Sequence, residues 1–142
     1  VTDREAYVFL GQIRGYDNKI KRLERTIESL RYNLMPGAIR YDKDRVQTSP
    51  QDSMSELFSR IDEYERELGE EYNKRAQAVI EIDEALNRMD KTKERTVLKE
   101  YYIGQSSIRD IADGLGFTIR HCLRLKKNGV SMFAEVMSHG DR

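Results

Sequence analysis

Apolar residues in the first part of the chain recur in alternating steps of three and four: Ala6, Phe9, Ile13, Tyr16, Ile20, Leu23, Ile27, Leu30 and Leu34. That is a heptad period, and it predicts a long helix over about residues 3–35 with one narrow apolar stripe, suited to packing on another long helix. Ile13, Ile20 and Ile27 take the a positions; Tyr16, Leu23 and Leu30 take d, a combination that favours two-stranded parallel packing. Gly11 and Gly15 lie off the stripe. The simpler reading is two tolerated glycines near a helix end; the alternative is a point where a second backbone approaches closely.

Pro36-Gly37 stops this pattern, and residues 36–50 (PGAIRYDKDRVQTSP) show no period, reading as a linker. Fifteen aperiodic residues are long for a turn, so the segment is a mobile loop or a contact element. A second long helix is expected over 51–89. Met54, Leu57, Ile61, Tyr64 and Leu68 keep the alternation, which then slips to Tyr72, Val79, Ile82, Leu86 and Met89, a stutter that would locally unwind a supercoil. The two helices can fold back on each other as an intrachain antiparallel hairpin or pair with their equivalents in a second chain; the hairpin, with a dimer formed on top of it, is the expected arrangement.

From Asp90 the period breaks into short pieces. Thr92 to Arg95 opens one helix, with Val97, Leu98, Tyr101, Tyr102 and Ile103 near its inner side and Gly104 as its stop. Ser107 and Asp110 form an S-x-x-D start for a second, which points Ile108, Ile111, Ala112 and Leu115 inward. Gly116 reverses the chain and Thr118 caps a third helix over 118–127. Ala112 provides the small residue that a steep helix crossing needs, and Ile111, Leu115, Cys122 and Leu125 close a core beneath it. The predicted fold class is therefore all-α: a long-helix region over 1–89, then a helix-turn-helix domain over 90–142.

Composition supports helix over strand. Charged residues make up 35% and apolar residues 38%, with two prolines and no Trp, which suits long helices better than a broad core. The 25 basic and 25 acidic residues balance, so any pull toward nucleic acid is local. It is found between Gly114 and Val130, where Arg120, Arg124, Lys126 and Lys127 occur without a carboxylate. The single Cys122 suits a reducing compartment, and neither a membrane span nor a secretory signal is visible, so a cytoplasmic location is expected. Cys122 beside His121 is too small a ligand set for structural zinc; the other histidine, His139, lies in a polar tail. There is no Gly-rich phosphate loop, nucleophile motif or pocketed carboxylate pair, so neither an enzyme nor a cofactor is expected.

SSIRDIADGLGFTIRHCLRLKKNGVSMF resembles the helix-turn-helix of bacterial sigma-factor region 4, through Ser107, Ile111-Ala112, Leu115-Gly116, Thr118 and Cys122, the last standing where that family usually has Val. ERTVLKEYYIGQ is similar to the helix before that motif. The whole layout, with the Arg45-Val46-Gln47 segment, resembles small proteins of phages and prophages of Gram-positive bacteria that are similar to phage late-gene transcription regulators. The resemblance implies a sequence-specific DNA-binding regulator in a bacterial host cell, with double-stranded DNA and a second copy of the chain as partners, and RNA polymerase or another transcription protein as a further one. It departs from the family at Ile119-Arg120-His121, where an acidic base reader is common, and at Gly129, where Ala usually supports the helix; a fray or bend is expected at Asn128-Gly129.

Within that frame Arg120 is the first choice for a base contact, since a guanidinium bridges O6 and N7 of guanine. Arg124, one turn on, reaches a base or phosphate; His121 donates to either; Thr118 meets a phosphate at the helix start. Lys126 and Lys127, and Arg109 on the preceding helix, are expected phosphate contacts. The competing reading for each is a solvated surface charge. Two other functions fit the same outline: a small-terminase-type DNA-packaging protein, and a coiled-coil interaction module without DNA binding.

Overall fold

The computed structural model describes residues 1–35 and 50–140. The linker over 36–49, including Arg45-Val46-Gln47, and the role expected of it lie outside the described residues. Among the described residues the chain is all helical: α1 (Asp3–Leu10), α2 (Gln12–Tyr32), α3 (Pro50–Leu86), α4 (Lys93–Leu98), a π-helical turn (Lys99–Ile103), α5 (Ile108–Leu115) and α6 (Ile119–Gly140). The helix expected over 3–35 is interrupted at Gly11, whereas Gly15, an equally weak helix former, lies within α2. A Cβ added at Gly15 would meet nothing within 4 Å, and one at Gly11 would meet only carbonyls of its own preceding turn. Neither glycine admits a second backbone.

The chain divides into two compact units, residues 16–74 and residues 1–15 with 75–142, not at residue 89. In the first, Ile20, Leu23, Ile27 and Ile61 are buried along the stripe. Cross-helix pairs progress in antiparallel sense from Lys19 with Glu71, at 3.0 Å, to Arg31 with Glu65, and Tyr72 donates to Glu24 at 2.6 Å. The expected stutter is absent. Ile61, Tyr64, Leu68, Glu71, Arg75, Ala78, Ile82 and Ala85 hold the three-four alternation and are buried or half-buried, whereas Tyr72 is exposed. Glu71 occupies an inner position because Lys19 and, at 3.2 Å, Lys74 satisfy its carboxylate. Their hydrogen bonds hold the Glu71 carboxyl below its usual range and raise the Lys19 ammonium.

The second unit has its main core where α1, the end of α3, α4 and α6 meet. Ala6, Leu10, Ile13, Ile82, Leu86, Leu98, Val130 and Phe133 are all buried there. Phe133 stacks on Phe9 with ring centroids 5.9 Å apart. This explains the division of the chain: the C-terminal helices enclose their apolar side chains only with help from α1 and the end of α3.

Tyr102, from the π-helical turn, is 5% exposed in this core, and burial pushes its hydroxyl up to about 12. The unfolded chain releases that proton near pH 10, whereas the folded chain keeps it to about 12, so stability should fall as pH rises through that window. The slope expected is roughly 1 kcal/mol per pH unit. Denaturant titrations across the window on wild type and Tyr102→Phe isolate the effect: the variant should show a shallower decline, and equal declines would contradict it.

Candidate nucleic-acid interface

The sequence encodes the boundary between α5 and α6 through local hydrogen bonds. The Ser107 hydroxyl accepts from the Asp110 N–H at 3.1 Å, starting α5 where the S-x-x-D signature places it. Gly116 ends that helix with φ +72°, a conformation that costs an L-side chain about 1–2 kcal/mol. The Phe117 N–H donates to Ala112 O at 2.9 Å, and the Gly116 N–H to Asp113 O at 3.4 Å, which satisfies carbonyls at the end of α5. Thr118 Oγ1 then accepts from the His121 N–H at 3.1 Å and caps α6.

Beneath this turn Val97, Ile111, Ala112, Cys122 and Leu125 form a second core, with Leu115 half-buried at its edge. Ala112 and Cys122 are closed off from solvent, and burial raises the Cys122 thiol above its usual range. Small side chains at this point let α5 and α6 come close enough to share one apolar centre.

The outward side of α6 carries the candidate chemistry. Arg120, Arg124 and Lys127 are exposed, and their spacings of four and three residues place them on one helical face. Ile119 and Leu123 lie beside them, 45% and 49% exposed. Leu123 was not among the expected site residues. The signal for it was present, because Cys122, Leu125 and Gly129 take the inward face by three-four steps and so leave Leu123 outside. Arg109 is exposed on α5.

Three expected residues are more committed to the protein than a solvated charge would be. The Thr118 hydroxyl is used by the cap, though it stays exposed. His121 is half-buried and packs edge-on against Phe117 at 5.0 Å. Lys126 is half-buried, with its ammonium 4.2 Å from the Tyr101 ring centroid.

No fray or bend stops α6 at Asn128-Gly129; it runs 22 residues to Gly140. A Cβ on Gly129 would lie 3.1 Å from Leu98 Cγ and 3.3 Å from Glu94 Cβ. The glycine therefore marks close packing of α4 on α6. One rigid helix joins the exposed cationic segment to the main core through Val130 and Phe133.

No family model, curated protein or solved structure matches this chain. What the fold defines is an all-α protein in which, among the described residues, no helix is long and apolar enough to cross a membrane.

Proposed function

We propose that the chain is a sequence-specific DNA-binding transcription regulator of phage or prophage type: a coiled-coil hairpin followed by a sigma region 4-like helix-turn-helix, working as a homodimer. The N-terminal half of α6 enters the major groove. The observation that carries this reading is the exposed row of Arg120, Arg124 and Lys127 on a helix whose first turn is braced by the Gly116 reversal, in a stretch from Gly114 to Val130 that holds no carboxylate. Cations on such a face bind phosphates and base edges without internal neutralisation. Ile119 and Leu123 extend the face with apolar surface of the kind that meets thymine methyl groups.

Selection of bound fragments from the parent genome, followed by titration of the recovered site against random duplex at low salt, tests the proposal. Enrichment of a defined site is the expected result. If neither genomic nor random duplex binds, the DNA reading fails. The exposure of Ile119 and Leu123 then favours the second reading, a module that holds a protein partner on this face. Mass in solution separates a regulator dimer from the ring of about eight or more subunits expected of a packaging protein.

A further inference from the structure

Arg14, in the first turn of α2, holds its guanidinium carbon 4.5 Å from the centroid of the Tyr101 ring. The Lys126 ammonium lies 4.2 Å from the same centroid. Two cations from helices far apart in sequence thus converge on one aromatic side chain. Among the described residues neither forms an ion pair, and half-buried Glu100, next to Tyr101 in the chain, bonds to neither. Each such contact contributes only about 0.5–1 kcal/mol at an exposed site, and among the described residues neither cation is neutralised by a carboxylate.

The backbone beneath the ring is specialised. The Gly104 N–H donates to Lys99 O at 3.0 Å, a wide turn five residues back, and a Cβ on Gly104 would fall 2.8 Å from Glu100 O. Only glycine closes this turn without a shift. The extra residue sends Tyr102 into the core while Tyr101 stays half-exposed, edge-on to Tyr102 at 4.9 Å. Single wide turns of this kind occur frequently at functional sites.

We propose that Arg14 and Lys126, held by Tyr101, clamp one backbone phosphate of the bound duplex, so that the N-terminal helices contribute directly to the nucleic-acid interface. The proposal rests on the DNA-binding reading of α6. A phosphodiester supplies the anion that the two cations lack, and its position follows from the chain: Lys126 adjoins Lys127 of the reading face and lies three residues from Leu123. Such a contact positions the helix without selecting sequence.

The test is a salt titration of the full chain with random duplex and with the selected site. Arg14→Ala and Lys126→Ala should each weaken binding to both DNAs alike, and each should flatten the slope of log affinity against log salt by about 1. Arg14→Lys should restore the slope, and thermal melting checks the fold of each variant. Wild-type binding with an unaltered slope in Arg14→Ala overturns the clamp and leaves the DNA reading standing. A lower melting temperature with no change of slope also overturns it, by reducing the cation–ring stack to a structural contact. Absence of any duplex binding by the wild type removes the parent reading, and the clamp with it.

Discussion

Phe133→Ala should destabilise the protein by about 3–5 kcal/mol, the range for deleting a buried aromatic ring that its surroundings cannot collapse to fill. Phe133 is 1% exposed, stacks on Phe9, and lies in a core shared by α1, α3, α4 and α6. Little room for relaxation exists, because four helices would have to move together. Urea denaturation with an unchanged slope gives the number. Ser131→Ala is the control on the same helix: that side chain is exposed and donates to Asp3 at 2.7 Å, so a much smaller loss is expected. If Phe133→Ala lost under 1 kcal/mol, the second half of α6 would not be anchored as described. The exposed cationic half of α6 would then lack its support.

The second large effect concerns the proposed interface itself. Arg120→Ala should cost about 1–3 kcal/mol at one base position of the selected site and relax preference there. Lys127→Ala should instead weaken every sequence by a similar factor and reduce the salt slope by about 1. Competition titrations with single-base variants of the site separate the two patterns. The contrast follows from chemistry. A planar guanidinium near the start of the helix matches two acceptors on guanine, whereas an ammonium two turns along acts as a point charge toward phosphate. Equal, sequence-independent losses from both variants would contradict these roles. Lys127 is preferred to Lys126 for this comparison because Lys127 is exposed, while Lys126 is engaged with Tyr101.

Much of the candidate site was legible in the chain because its determinants are local. Ser107, Gly116 and Thr118 each act within about one helical turn, through a hydroxyl that accepts a nearby N–H or a backbone that tolerates positive φ. The inward set Ile111, Ala112, Cys122 and Leu125 follows from helical spacing alone, as does the outward set Arg120, Arg124 and Lys127. Gly129 shows the limit of that approach. Composition makes a glycine after an asparagine look like a weak point, but the side chains of Leu98 and Glu94 need the space above it.

By itself, then, the amino-acid order determined the all-helical character, the stripe along α2, the reversal at Gly116 and the uneven placement of charge, since each depends on neighbours a few positions away. Tertiary structure decided the rest. Glu71 takes an inner heptad position because Lys19, 52 residues earlier, meets its carboxylate. The compact units divide at residues 15 and 74 because Phe133 and Val130 find apolar partners on α1 and α3. Arg14 and Lys126 meet the same ring because both pack on Tyr101, which a π-helical turn carries. In each of these cases the deciding energy is a contact between residues far apart in the chain, and no local period carries that information.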